Sequence, residues 1–289
     1  MKAGFVNIFG KPNAGKSTLL NALVGEKLAI VSPKVQTTRH RIKGILTTDA
    51  YQIILSDTPG IIPEARYKLH ERMMGAVKGA LEDADVAVLL LDVQDNWEEN
   101  DLLFGSLRLK VPSVLVLNKT DRVPPAKLEE AIAFFRDKSY AKKIVSLSAL
   151  TQTGIPDLLA AVTDLLPEGE PFFAEDELTD LPEKFFVAEL VREKIFQYLQ
   201  DEIPYEATVL VQEFKHKSTL IKIGAVIVVQ RESQKAIILG EGGRMIKKIG
   251  SEARAEIEKF LQSKVFLELF VKVRPKWREN DLLLREYGY

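Results

Sequence analysis

Gly10-Lys11-Pro12-Asn13-Ala14-Gly15-Lys16-Ser17 spells Gly-x-x-x-x-Gly-Lys-Ser between a strand-length apolar run at 5–9 and a helical pattern. In that setting the segment suits a chain of phosphates. Gly10 and Gly15 let the backbone turn tightly, the amides from Ala14 to Thr18 converge at a helix N-terminus, and Lys16 brings a mobile positive charge to the β- and γ-phosphates. Lys11, Pro12 and Asn13 fill the turn. The Ser17 hydroxyl suits Mg²⁺, which otherwise keeps waters and phosphate oxygens. Asp57-Thr58-Pro59-Gly60 ends a second buried run, so the Asp57 carboxylate can reach the metal's water shell and the Gly60 amide the γ-phosphate. A plain proline turn is the alternative reading of so short a pattern. Asn118-Lys119-Thr120-Asp121 follows a third run. Asp121 can accept from N1–H and the exocyclic amine of guanine, whereas adenine lacks that donor pair and would leave the carboxylate unpaired. Asn118 would brace base and loop, the Lys119 stem would lie along the ring, and Ser148-Ala149-Leu150 would offer amides to the guanine carbonyl. The order of these segments selects GTP over ATP.

Buried strands have to carry these segments. The runs 5–9, 53–56, 86–91, 114–117 and 144–147 are aliphatic or β-branched, and helical patterns fall at 18–24, 67–81, 100–109, 127–136 and 156–165. The alternation predicts an α/β fold, a doubly wound, mainly parallel P-loop NTPase sheet with right-handed crossovers. Residues 42–47 precede the run at 51–56 with no helix between and predict an antiparallel edge hairpin. The pattern breaks at Pro167-Glu168-Gly169-Glu170-Pro171, which places one domain at 1–168, a linker or extended connection at 169–182, and a smaller α+β domain at 183–289. In the latter we read a helix at 186–199, strands at 208–214 and 220–230, and a small strand at Ala236-Ile237-Ile238-Leu239. A glycine loop, a basic helix, another helix through Phe260 and a last strand at 265–273 follow, in the order αββααβ.

Composition bounds the function. A chain of 289 residues, 46% hydrophobic and 28% charged, is long enough for two cores. It has no cysteine, so disulfides, thiol nucleophiles and cysteine-bound zinc are excluded. With a formal net charge of -1, any affinity for nucleic acid must come from a local basic patch. The first apolar run leads into the glycine loop rather than a signal-cleavage site, and no stretch is long enough to span a bilayer, so cytoplasm is the expected location.

That patch is at hand. Gly240-Glu241-Gly242-Gly243 opens a helix bearing Arg244, Lys247 and Lys248. The glycines permit close backbone approach, the cations would track phosphates, and Ile238, Ile246 and Ile249 would wall the groove. A basic solvated helix on an ordinary α+β module is the plainer alternative. Lys272, Arg274 and Trp277 lie in a second basic stretch, where Trp277 either stacks a base or packs the tail. Arg39, His40, His70 and His216 have no recognisable partner carboxylate and are poor candidates for a general base, and the histidines read as solvated surface side chains.

The first domain resembles translation-factor-class GTPases of the Era/Der/MnmE type. Gln36-Thr37-Thr38-Arg39-His40 resembles that group's first switch, which implies Thr38, with Thr37 second, as the threonine that reaches Mg²⁺ and the γ-phosphate; an exposed polar loop is the alternative. Lys16, Thr38, Asp57, Gly60 and Asn13 are then the expected catalytic set. Where Ras-like enzymes carry a water-orienting glutamine, this chain has Ile61, followed by Ile62, so slow intrinsic turnover is expected. In the resembled group an asparagine matching Asn13 helps bind K⁺. The second domain resembles a type II KH domain, whose Gly-x-x-Gly loop clamps about four single-stranded nucleotides. One GTPase domain followed by a KH domain is similar to the Era family. The likeness implies a monomer that binds the 3′ region of 16S rRNA and acts in 16S rRNA processing and small (30S) subunit biogenesis, with peripheral contact at the inner membrane. Two competing readings are a membrane-associated regulator whose basic domain binds anionic lipid or a protein, and a nucleotide-binding protein that does not hydrolyse.

Overall fold

The computed structural model describes residues 1–62 and 66–289. They form two compact units, one of Met1–Ala29, the described part of Thr38–Ala65, and Glu71–Asp180, the other of Ile30–Thr37, Arg66–His70 and Leu181–Tyr289.

Through residue 165 strands and helices alternate: β1 (Lys2–Phe9), α1 (Lys16–Val24), β2 (Ile42–Thr47), β3 (Tyr51–Asp57), α2 (Lys68–Glu82, of which Lys68–His70 count with the second unit), β4 (Val86–Asp92), α3 (Trp97–Ser106), β5 (Ser113–Asn118), α4 (Pro125–Phe135), β6 (Lys143–Ser146) and α5 (Ile155–Leu165). The sheet order is β2-β3-β1-β4-β5-β6; β2 pairs antiparallel with β3 as the expected edge hairpin, and the other pairings are parallel. β4 is buried along its whole length, as a strand covered on both faces must be. β1 and β4 are neighbours whose connections leave in opposite directions, and the phosphate loop opens from the carboxyl end of β1 at this switch point. The helix expected at 100–109 lies earlier. Asn96 caps it by accepting from Glu99 N at 2.9 Å, and Arg108, at φ 46°, lies beyond its end. Residues of the stretch 169–182 run extended along this unit's edge: Thr179 Oγ1 donates to Lys43 O at 2.7 Å, and Gln52 Oε1 accepts from Phe172 N at 2.7 Å.

The second unit contains α6 (Glu183–Tyr198), α7 (Ile203–Glu206), β7 (Thr208–His216), β8 (Ile221–Val229), α8 (Glu232–Leu239), α9 (Arg244–Leu261), β9 (Val265–Val273) and α10 (Asp281–Glu286). β8 pairs antiparallel with β7 and parallel with β9, and their inward residues pack on Val187, Val191, Ile195, Ile238, Ile249 and Ile257. Two expectations fail here. Ala236-Ile237-Ile238-Leu239 is the end of α8, not a strand: Gln234 Oε1 accepts from Gln230 N and Arg231 N at 3.1 Å to start the helix, and only Ile238 of the two isoleucines faces the core. A helix therefore leads into the glycine loop. Beyond the loop α9 is one continuous helix rather than two, and Gly250 lets it approach the sheet; a Cβ there would stand 3.3 Å from Leu269 Cδ1. His70 is also corrected. It is buried, with its ring tilted against Tyr67 (centroids 3.8 Å apart), Nε2 3.2 Å from Gln36 Oε1 and Nδ1 accepting from Arg66 N at 3.3 Å. Packing, not solvation, accounts for it. No helix among the described residues is long and apolar enough to cross a membrane.

Candidate nucleotide and RNA sites

The phosphate loop is built by close approaches that only glycine allows. A Cβ on Gly10 would meet Leu90 O at 2.2 Å, and Gly15, at φ +103°, would place one 2.2 Å from Asn118 Nδ2. Lys16 is buried and donates to Gly10 O and Lys11 O at 3.1 and 2.9 Å, folded over its own loop. Gly60 brings the second motif onto the first: its Cβ would fall 2.8 Å from Pro12, and the amide of Ile61 donates to Gly10 O at 3.2 Å. Thr58 is structural, its buried hydroxyl donating to Ile8 O at 2.7 Å. The Ile61 side chain packs against the apolar cluster around Phe9 and Leu89, so it offers nothing to a water.

Ser17, Thr38 and Asp57 converge. Ser17 Oγ lies 2.6 Å from Asp57 Oδ2 and 2.9 Å from Thr38 Oγ1, and Thr38 Oγ1 donates to the same carboxylate oxygen at 3.1 Å. Thr37 points away, its hydroxyl donating to Lys34 O at 2.8 Å. Asp57 Oδ1 is buried without a partner. Two hydroxyls and a carboxylate with one unpartnered oxygen are hard oxygen donors of the kind Mg²⁺ takes beside waters and phosphate oxygens, so the residues fit Mg²⁺. Burial pushes the Asp57 carboxyl up, while Lys16, Ser17 and Thr38 pull it down.

The base-side motif is braced from both ends. Asn118 Nδ2 donates to Ala14 O at 2.8 Å, and its Oδ1 accepts from Ala149 N at 3.0 Å, so one side chain joins the phosphate loop to Ser148-Ala149-Leu150. Lys119, at φ 64°, reaches Asn13 O at 2.8 Å and Asp92 Oδ2 at 2.7 Å. Asp92 belongs to no motif, and only the β4–β5 register, which aligns it with Asn118, reveals it. Asp121 is left presented, with Arg122 Nε 3.9 Å away. Asn13 is exposed at φ 63°.

Burial pulls the Lys16 ammonium from 10.5 down to about 8, opposed by Asp57. A phosphate beside it would favour the charged form, so above that pH nucleotide binding must take up a proton and affinity must fall as pH rises. Calorimetry at pH ~8.5 in buffers of different ionisation enthalpy is expected to show proton uptake, shrinking toward pH ~7. Equal proton release or none at both pH values would contradict this.

In the second unit Gly240, Gly242 and Gly243 take φ 70°, 59° and 75°, and Cβ atoms on the latter two would meet nothing within 4 Å, leaving an open backbone surface. Glu241 and Arg244 pair with each other, Lys247 is exposed, and the exposed Lys248 places its ammonium 4.0 Å from the Tyr198 ring centroid. Lys272 and Arg274 are exposed. Three expected contacts are corrected. Ile238 and Ile249 are wholly buried in the core and cannot wall a groove, leaving Ile246 half-buried. Trp277 is also wholly buried, its Nε1 donating to Glu206 O at 2.9 Å and its ring stacked near Tyr289, so no face is free for a base.

Two family models match the chain: the 50S ribosome-binding GTPase family over residues 5–119 and the KH domain over 202–278. GTPase Era of Geotalea daltonii is 45% identical over 99% of this chain and 97% of its own length. GTPase Era of Caldanaerobacter subterraneus is 43% identical, over 100% and 98%. Two crystal structures superpose over 100% of this chain and 99% of theirs: an Aquifex aeolicus Era variant bound to GDP and aluminium fluoride (TM-score 0.96, 38% identity), and Era with MgGDPNP and nucleotides 1506–1542 of 16S ribosomal RNA (TM-score 0.95, 39%). A P-loop domain followed by a KH domain, matched end to end by such relatives, makes this chain a GTP-hydrolysing member of the Era family.

Proposed function

We propose that this chain is a GTP-driven switch that binds the 3′ region of 16S rRNA in the cytoplasm and acts in 16S rRNA processing and small-subunit biogenesis. The observation that carries the reading is full-length similarity to an Era structure that holds MgGDPNP and nucleotides 1506–1542 of 16S rRNA. On the nucleotide side, residues 10–18 cradle the phosphates, Asp121 and Asn118 select guanine, and Ser17, Thr38 and Asp57 hold Mg²⁺. The metal, when bound, offsets charge on the phosphate oxygens. On the RNA side, the Gly240–Gly243 loop takes the backbone, with Glu241 yielding Arg244 to phosphate, and Lys247, Lys248, Lys272 and Arg274 extend the track.

Ile61 leaves the attacking water without a side chain to orient it, which supports slow intrinsic turnover. The exposed Asn13 beside the phosphate loop supports K⁺ as a source of charge there. Turnover is expected to be about tenfold faster in K⁺ than in Na⁺, and Asn13→Ala should abolish the difference; equal rates in both salts would refute K⁺ assistance.

Peripheral membrane contact is the rival use of the basic surface, supported by Phe266 (50% exposed) and Phe270 (58%) beside Lys272 on β9. A labelled RNA of the 1506–1542 sequence should bind the full chain, as a monomer, better than a scrambled RNA and should resist anionic liposomes. Liposome binding without RNA selectivity would reverse the assignment.

A further inference from the structure

Residues Ile30–Thr37 fold with the second unit, although the next residue, Thr38, stands beside Ser17 and Asp57. Two side chains of this segment's own unit hold it. Lys34 Nζ donates to Phe196 O at 2.7 Å and to Leu199 O, carbonyls at the C-terminal end of α6, where a cation also meets the negative end of the helix dipole. That makes Lys34 an anchor for the segment from within it.

Arg192 of α6 makes the deeper contact. Its guanidinium is buried, with Nε and Nη2 paired to the two carboxylate oxygens of Glu189 at 2.7 and 2.5 Å, and Nη2 also donates to the Thr37 carbonyl oxygen at 2.7 Å. Glu189 already balances the charge, while Nη1 is buried without an acceptor. Keeping an unsatisfied donor in the interior is costly, and the arrangement gives up one donor while aiming another at a single backbone oxygen. The Thr37 hydroxyl, bonded to Lys34 O, ties the two anchor points together.

The Thr37 oxygen and the Thr38 amide belong to one rigid peptide plane, so a bond to the oxygen limits how Thr38 can rotate. We propose that Arg192 is a positioning residue for GTP hydrolysis, holding the Thr37–Thr38 peptide so that Thr38 Oγ1 stays with Ser17 and Asp57. The proposal rests on the reading of Thr38 given above. It places a determinant of GTPase activity on the first helix of the KH half of the chain. GDP has no γ-phosphate for Thr38 to meet, so GDP affinity should not depend on Arg192.

The test is a cycle of the full chain with Arg192→Lys, Thr38→Ala and both, measuring kcat, the Mg²⁺ concentration for half-maximal hydrolysis, and GDP affinity. Lysine keeps the charge but loses the fork that serves Glu189 and Thr37 together. Arg192→Lys is expected to lower kcat about tenfold and raise the Mg²⁺ requirement about fivefold, with GDP affinity within about twofold and no further loss in the Thr38→Ala background. Unchanged kcat and Mg²⁺ dependence, or a loss that adds in full to that of Thr38→Ala, would overturn the proposal. If Thr38→Ala itself is silent, the reading of Thr38 falls; if Thr38→Ala is impaired and Arg192→Lys silent, only the Arg192 proposal falls. Should Arg192→Lys melt without a cooperative transition, Lys34→Met on the half-buried second anchor enters the same cycle, with the same outcomes decisive.

Discussion

Asp121→Asn should exchange guanine for xanthine. The carboxylate accepts two hydrogen bonds from guanine, at N1–H and the exocyclic amine. An asparagine amide keeps an oxygen for N1–H but faces the exocyclic amine with its own NH₂, so those two groups are left unpaired, whereas xanthine offers an oxygen at that position and accepts from the amide. Asp121 can be changed with little structural cost, because it is exposed and its nearest cation, Arg122, lies 3.9 Å away. Equilibrium binding with labelled nucleotides should show GTP affinity falling by about 100-fold or more and XTP affinity rising by a comparable factor. GTP binding that survives the change would mean that guanine is read elsewhere.

The second large effect is expected at the glycine loop. Gly242→Asp with Gly243→Asp puts two carboxylates where the RNA backbone is to approach, in space that is empty to 4 Å. Both positions have left-handed backbone, which aspartate tolerates better than most residues. RNA affinity in a filter or fluorescence assay should fall by about 100-fold, with GTP turnover within about twofold of the unmodified chain. Lys247→Ala and Lys248→Ala provide the calibration, each lowering the slope of log affinity against log salt by about 0.7. RNA binding indifferent to the aspartates would remove the loop from the interface.

These sites were not equally legible in the sequence. Gly10 to Ser17 and Asn118 to Asp121 are legible because their chemistry is local: the backbone groups and side chains that define each motif are contiguous, and a buried strand before each fixes its place. The resemblance ranks Thr38 ahead of Thr37, and in the fold Thr38 approaches Ser17 at 2.9 Å while the Thr37 hydroxyl turns to Lys34 O. Ala236-Ile237-Ile238-Leu239 misled because four apolar residues have no period; the signal that decides for helix is Gln234 capping the preceding amides. Trp277 among cations reads equally as a stacking platform or a packing anchor, and what decides is that its indole is enclosed by the tail tyrosines Tyr287 and Tyr289, a packing that composition does not reveal. Arg192 and Asp92 were invisible because their partners are far away in sequence or across a strand register. Local chemistry is written in motifs, and the residues that hold those motifs in place are set by tertiary contact.

In the proposed function, nucleotide state controls engagement of the 16S 3′ region by the KH half of the chain. The most direct measurement is crosslinking of the full chain in cells or in extract, with sequencing of the bound RNA, in the GDPNP-loaded and GDP-loaded forms. Reads are expected to concentrate at the 3′ end of 16S rRNA with GDPNP and to be depleted there with GDP. Equal occupancy in both states, or RNA scattered without enrichment at that end, would contradict it.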